Sequence, residues 1–429
     1  MRIPIGDVTP ETGTAEIIGW VHEIRDLGGL AFYLIRDRSG IIQVTIVRKA
    51  ASDAVLAGAD AVSRESVVRV AGAVKAIDKA PGGRELIPET FEIISKAESP
   101  LPLDVAEKVP AELDTRLDAR YLDSRKPRIR AIFWIRSAVI QAISDLLYSE
   151  GFINIHTPKV VAAATEGGTE LFPIAYFEKE AFLNQSPQLY KQMMMAAGFE
   201  KVFEIGPIFR AEEHNTTRHL NEATSIDIEA SFVDHNDVME LLERVIVRSY
   251  EHVAETCVQP LQDLGIVLEI PKRPFPRISY EEAIGIATGA IDEDLTFGDD
   301  LGTAAERAVG EYMGEHYFIV DWPTEIKPYY AMPYMDNPVL CKAFDLMHPR
   351  MELASGAQRV HQHVLLVDQL RAKGLNPDNF EFYLNPFSYG MPPHAGWGLG
   401  AERLVMTMLG LPNIREAVLF PRDRHRLTP

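Results

Sequence analysis

Residues 223–232, ATSIDIEASF, alternate strictly in polarity. Ile226, Ile228, Ala230 and Phe232 fall on one side of an extended chain, with Asp227, Glu229 and Ser231 on the other. A period of two excludes a helix. A strand that is apolar on one face and acidic on the other must pack the first against a core. Its second face is then free to meet a ligand, as one-sided antiparallel sheets do. The preceding run VFEIGPIFRAEE (202–213) reads as the neighbouring strand, joined through the polar connector HNTTRHLNE (214–222).

Helical signals surround this pair. Ile132, Ile135, Val139, Ile143 and Leu146 form an apolar stripe, and Gly151 ends it in the manner of a C′ glycine. INIHTPKVV (153–161) reads as a strand interrupted by Pro158, hence an edge or a bulge. Helices are expected at 235–257 and 302–314, a strand near 380–387, then a Gly-rich turn and a helix over 400–410. Upstream, strands are expected within 14–47 (AEIIGWVHEI, LAFYLIRDRSG, IIQVTIV), at 66–77 and at 90–97. Five short strands in that span suggest a small closed barrel, of which the OB-fold is the commonest; another small barrel or sandwich fits the same pattern. Ser99-Pro100-Leu101-Pro102 marks a boundary. The expected organisation is α+β: a five-stranded barrel over 1–98, a hinge over 99–131, and a domain over 132–429 built on a mainly antiparallel sheet flanked by helices.

The formal charge of -19 argues against nonspecific binding to nucleic acid, which needs Lys and Arg against phosphate. The charge is uneven: residues 1–98 carry 12 basic and 14 acidic side chains, so the N-terminal part is nearly neutral and a local polyanion contact stays open. Cys257 and Cys341 have neither metal-ligand nor disulfide-framework spacing. The first residues show no signal-peptide pattern, and no apolar run reads as a membrane span, so a cytoplasmic protein is expected.

Two arginines suggest chemistry. Arg210 closes a strand ahead of a polar loop, and Arg403 lies in GLGAER, where Gly398 and Gly400 let the backbone approach a ligand. Either alone reads more readily as an ordinary surface or ion-paired residue. Together, on a strand–loop–strand and a Gly-strand–helix unit, they match the separated cations that nucleotide phosphates require.

With Pro158 after a long helix, FRAE at 209–212 and GLGAER at 398–403, the chain resembles class II aminoacyl-tRNA synthetases in their motifs 1, 2 and 3. The preceding barrel, together with QSPQLYKQ (185–192), RAEEHNTTRHLNE (210–222), MELASGAQR (351–359) and GMPPHAGWGLGAERLVM (390–406), is similar to aspartyl enzymes of the archaeal and eukaryotic type. The resemblance spans essentially the whole chain. It implies ATP-dependent activation of L-aspartate and its transfer to tRNA by a homodimer. ATP would meet Arg210, Glu212, Arg218, His219, Leu220, Glu352, Gly400, Ala401, Glu402 and Arg403. Mg2+ would be held by Asp345, Glu352 and Ser355. Aspartate would meet Glu166, Ser186, Gln188, Lys191, Arg210, Ser355 and Arg359. Lys191 and Arg359 would take its side-chain carboxylate, and Lys191 separates this pattern from asparaginyl enzymes. In the barrel, Phe32, Gln43 and Arg25 match anticodon-contacting positions. His22 and Pro81 match the pair found in relatives that charge both the aspartate and the asparagine tRNA, which implies dependence on an amidotransferase. Away from these motifs, His361 and His363 form an isolated H-x-H read as packing, and Met193–Met195 read as core filling.

Overall fold

Alternating burial along β1 (Thr14–Asp26), β2 (Leu30–Arg36) and β3 (Ile41–Val47) puts Ile17, Val21, Tyr33, Ile35, Ile42 and Val44 inside and their neighbours outside. A short helix, α1 (Asp53–Ala61), precedes β4 (Val67–Ala76) and β5 (Arg84–Ser95). The strands close a barrel in the order β1-β2-β3-β5-β4, with β3 and β5 parallel and every other pair antiparallel. This is the OB-type barrel. α1 gave no readable signal because only Val55 and Ala59 of its nine residues are buried. These elements come from a computed structural model of the chain, which describes residues 2–162, 171–212, 216–291 and 294–429.

The chain divides into two units, Met1–Lys126 and Pro127–Pro429. The first ends in two short helices, α2 (Leu113–Asp118) and α3 (Arg120–Asp123), with the buried Asp123 carboxylate paired to Arg116, Arg120 and Lys126.

In the second unit, α4 (Pro127–Ser149) begins five residues before the apolar stripe does. By length and composition alone this helix is apolar enough to cross a membrane, contrary to the expectation that no segment is. Its burial explains the composition, since Ile132, Ile135, Val139, Ile143 and Leu147 face the core. Pro158 separates β6 (Ile153–Asn154) from β7 (Val160–Val161). β7 joins β8 (Pro173–Tyr176) and β9 (Lys179–Leu183) in a small sheet, and α5 (Gln188–Ala196) follows. Next come β10 (Lys201–Phe209), β11 (Glu222–Ser231), α6 (His235–Thr256) and α7 (Val258–Leu264). Then β12 (Arg277–Ser279), α8 (Tyr280–Thr288), α9 (Thr303–Met313), β13 (Tyr317–Pro323), β14 (Leu340–His348) and β15 (Met351–Gln358) lead to α10 (His363–Ala372). α11 (Glu381–Leu384), β16 (His394–Gly400) and α12 (Ala401–Met408) complete it.

The large sheet runs β12-β13-β14-β15-β16-β11-β10-β6, and only its outermost pairs, β12–β13 and β10–β6, are parallel. Ile226, Ile228 and Ala230 of β11 pack with Trp397 and Leu399 of β16 against α4, α6 and α12. Trp397 donates its indole N–H to the Val238 carbonyl at 3.0 Å. Phe232 does not share that face. It lies past the end of β11 at φ 63° and is exposed, because the strand has already turned away.

The strand expected near 380–387 is helical instead, comprising α11 and the 3-10 turn Asn385–Tyr389. Phe380, Tyr383, Leu384 and Phe387 are all buried. Their spacing of three, one and three is a helical stripe, which aromatic content disguised as strand preference.

Candidate active site

The opposite face of the sheet carries a cleft of about 270 Å³, lined from β10, β11, β15, β16 and α5. At its floor the acidic side of β11 is closed off by two buried cations. Lys191 Nζ lies 2.9 Å from Asp227 and 3.5 Å from Glu229, and donates to the Trp397 carbonyl at 3.2 Å. Arg359 meets Glu229 through Nε at 3.0 Å and Nη2 at 3.4 Å, with its guanidinium 5.3 Å from the Tyr330 ring centroid. Burial alone would raise the Glu229 carboxyl, but Arg359 and Lys191 outweigh it and hold it below the usual range. The four charges balance.

The glycines of β16 make room for this arrangement. A Cβ on Gly396 would overlap the Ile228 carbonyl and the Glu229 carboxylate, while one on Gly398 would stand 3.2 Å from Asp227 Oδ1. Beneath the cations, Gln192 bonds to His394 Nε2 at 3.0 Å and accepts from Gln188 at 2.9 Å and from the Tyr383 hydroxyl at 3.1 Å. Burial pushes His394 down to about 4, so its ring is neutral and fixed by this network. Ser186 Oγ accepts from the Gln188 amide at 3.1 Å, and both residues line the cleft.

The other end of the cleft is open and cationic. Arg210 leaves β10 exposed to solvent, its backbone N–H bonded to Asn221 O at 2.9 Å. Asn221 in turn donates to the carbonyls of Arg210 and Glu212 at 2.6 and 3.2 Å, which ties the two sides of the connector together. His219 Nδ1 lies 3.8 Å from Glu212 and 2.7 Å from Thr216 Oγ1, and Leu220 is buried behind them. Arg218 reaches Glu306 at 3.3 Å and the Arg350 carbonyl at 2.6 Å. Arg403 donates to the Glu352 carbonyl at 3.1 Å and lies 3.5 Å from its carboxylate. Glu402 lines the cleft with its carboxylate already engaged, accepting from Arg136 of α4 at 2.8 Å and the Thr224 amide at 2.9 Å. Gly400 and Ala401 make the strand-to-helix turn beside it.

Asp345, Glu352 and Ser355 lie on the adjacent strands β14 and β15, with Asp345 in register with Ser355. Asp345 is 2% exposed; Lys327 takes Oδ2 at 2.6 Å, and among the described residues no hydrogen bond of ordinary geometry reaches Oδ1, although the Ser355 hydroxyl beside it helps to hold the carboxyl down. Burial raises its carboxyl against the pull of Lys327. A buried, half-satisfied carboxylate beside a second carboxylate and a hydroxyl is a donor set suited to a hard divalent cation.

The cleft thus gathers Ser186, Gln188, Arg210, Glu212, Arg218, His219, Leu220, Glu352, Ser355, Arg359, Gly400, Glu402 and Arg403, with Lys191 and Asp345 buried in its walls. Glu166 lies outside the described residues. Asn221, Lys327 and Glu306 escaped sequence reading, while Asp227 and Glu229 were read as the acidic face of β11 that meets a ligand but not as the partners of Lys191 and Arg359.

On the barrel, Arg25 pairs across strands with Phe32, and Leu34 with Gln43, so these residues share the outer face, where Phe32 is half-buried. Gln43 donates to Glu85 at 3.3 Å and Thr45 at 3.0 Å, and Arg25 pairs with Glu23 at 3.0 Å. His22 occupies a bulge in β1, 3.4 Å from Arg36 and 3.9 Å from Glu65. Pro81 opens the turn Pro81–Gly83 past the far end of β4 from the Trp20–Val67 pairing, so His22 and Pro81 lie near opposite ends of that strand.

A mainly antiparallel sheet with an arginine-lined cleft on one face, in a chain that also carries an OB barrel, defines a class II aminoacyl-tRNA synthetase. The family model "tRNA synthetases class II (D, K and N)" matches residues 112–424, and that of the OB-fold nucleic acid binding domain matches 15–94. Within that class the chain belongs to the aspartate–tRNA(Asp/Asn) ligase family. The ligase of that name from Methanoculleus marisnigri is 74% identical over 429 residues, covering all of both chains. Among solved structures, the asparaginyl-tRNA synthetase of Pyrococcus horikoshii complexed with asparaginyl-adenylate superposes with a TM-score of 0.93 at 34% identity, covering all of both chains. The aspartyl tRNA synthetase of Entamoeba histolytica gives 0.88 at 31%, covering 100% of this chain and 93% of that one.

Proposed function

We propose that the protein activates L-aspartate with ATP and transfers it to the 3′ end of tRNA(Asp) and of tRNA(Asn). The observation that carries this reading is the buried Lys191–Arg359 cation pair at the inner end of the arginine-lined cleft. In the first step, an oxygen of the aspartate α-carboxylate attacks the α-phosphorus of ATP, the bond to the bridging oxygen breaks, and pyrophosphate leaves. In the second, a terminal ribose hydroxyl attacks the adenylate carbonyl and AMP leaves. The substrate is its own nucleophile, so the protein positions groups and neutralises charge. Arg210 bridges the α-carboxylate and the α-phosphate, with Glu212 beside the adenine. Arg218, His219 and Arg403 meet the outer phosphates. Asp345, Glu352 and Ser355 would hold Mg2+, whose charge offsets that of the phosphates when bound.

The balanced floor refines substrate choice. Asp227 is the natural acceptor for the substrate ammonium, together with Ser186, Gln188 and Glu166. Engaging that ammonium leaves Lys191 and Arg359 to the side-chain carboxylate. An asparagine amide would leave a buried lysine under-compensated, which is a strong ground for rejection. Arg25, Phe32 and Gln43 read the anticodon, while His22 and Pro81 permit the asparagine tRNA. A tRNA-dependent amidotransferase must then convert the mischarged product. The protein works in the cytoplasm as a homodimer. The half-exposed Trp134 and Tyr148 of α4 support the dimer.

An asparaginyl synthetase is the rival, given the likeness to one in fold. ATP–pyrophosphate exchange with each amino acid separates them: exchange with aspartate and none with asparagine is expected, and the reverse refutes the proposal. Charging both tRNA transcripts with labelled aspartate tests the second half, and failure on tRNA(Asn) alone removes only that part.

A further inference from the structure

Glu306 belongs to no motif, yet it reaches the phosphate end of the cleft from a helix outside the motif units. α9 gets there by close packing. A Cβ on Gly310 would overlap the Pro349 carbonyl, so the absence of a side chain lets the helix sit directly on the turn between β14 and β15. One helical turn earlier, on the same face, the Glu306 carboxylate lies 3.3 Å from Arg218 Nη1. That turn supplies a second tether, because the Arg350 carbonyl accepts from Arg218 Nη2 at 2.6 Å. Arg350 is itself tied to Leu411 O at 2.8 Å and, through its amide, to His348 at 3.1 Å. Arg218 therefore hangs from a long polar connector, but both ends of its guanidinium are fixed by elements that hardly belong to that connector.

We propose that Glu306 is a positioning residue for the nucleotide: it holds the Arg218 guanidinium at the outer-phosphate position before ATP arrives, so binding does not have to order that side chain. This rests on the reading of Arg218 as a phosphate ligand. A long arginine on a loop loses rotamer freedom when it clamps a phosphate, and a fixed carboxylate partner meets that loss in advance. Glu306 touches neither substrate nor reacting atoms, so its whole effect runs through Arg218.

ATP–pyrophosphate exchange on the full-length enzyme, comparing wild type, Glu306→Gln, Arg218→Ala and the double variant, tests this. Glutamine keeps the side-chain volume and removes the charge. The expected result is a KM for ATP raised about tenfold in Glu306→Gln, with the KM for aspartate unchanged and no further rise when the substitution is added to Arg218→Ala. If the two substitutions multiply, or if the KM for aspartate moves with that for ATP, Glu306 does not act through Arg218 and the proposal is wrong. A change confined to the Mg2+ concentration needed for half-maximal exchange also overturns it. If Arg218→Ala alone leaves the KM for ATP at the wild-type value, the phosphate role of Arg218 fails and this inference goes with it.

Discussion

At the residue scale, the unexpected feature is that the two cations read as substrate ligands are already neutralised by Asp227 and Glu229. Lys191→Ala should therefore do two things. Aspartate-dependent exchange should be lost while ATP still binds, and the fold should weaken by about 3–5 kcal/mol as the buried carboxylates lose a partner. Urea denaturation beside calorimetric titration with aspartate checks both; unchanged aspartate affinity would refute the side-chain pocket. Glu306 gives a second test, this time of electrostatics. Burial and the neighbouring Glu352 raise its carboxyl to about 7, against Arg218 and Arg403. Between about 4.5 and 7 the native state then holds a proton that the unfolded state has released, so this group lowers stability as pH rises. Glu306→Gln should raise the melting temperature of the ligand-free enzyme at pH 8 and leave it nearly unchanged at pH 5. Equal shifts at both pH values would contradict the assignment.

At the scale of elements, β16 decides how close the acidic strand can come. Asp227 faces Gly398 and Glu229 faces Gly396 across the ladder, but the two glycines have different surroundings. Gly396→Ala forces a methyl group into the Ile228 carbonyl and the Glu229–Arg359 pair, so a loss of about 1–3 kcal/mol and of aspartate activation is expected. Gly398→Ala places its methyl 3.2 Å from Asp227 Oδ1 in the cleft wall, where it should raise the KM for aspartate with little change in the denaturation midpoint. Identical stability losses in the two variants would mean that the strand, not the pocket, sets the need for glycine at 398.

For the whole molecule, acid sensitivity follows from buried imidazoles. Burial pushes His316 to about 3 and His348 and His394 to about 4. All three stay neutral in the native state, whereas the unfolded chain takes up protons below about 6.5. The stability they contribute is present above that pH and lost as pH falls towards 4. Burial lowers His235 and His361 in the same direction, whereas Glu306 and Asp345, whose carboxyls are raised, act in the opposite sense, so among the described residues five imidazoles oppose two carboxyls. Denaturation midpoints should fall from pH 7 to pH 5. His316→Phe should flatten that slope, since the ring stacks on Phe275 at 5.4 Å and among the described residues its Nε2 has no hydrogen-bond partner. An unchanged slope would count against a neutral buried His316.

The sequence determined those features that local chemistry repeats. The alternation of β11, the strands of the barrel and the stripe of α4 were readable, because each is a periodicity that neighbouring residues express themselves; Gly398 and Gly400 were read as a close backbone approach, but the stretch expected as a Gly-rich turn is the strand β16. It misread 380–387, where aromatic preference competed with a helical spacing. Only the tertiary structure decided how charges pair. Lys191 meets Asp227 across 36 positions, Arg359 meets Glu229 across 130, and Arg218 meets Glu306 across 88. No local pattern encodes such pairs; they exist because the packed sheet brings distant side chains into a buried space where an unpaired charge would be too costly to keep.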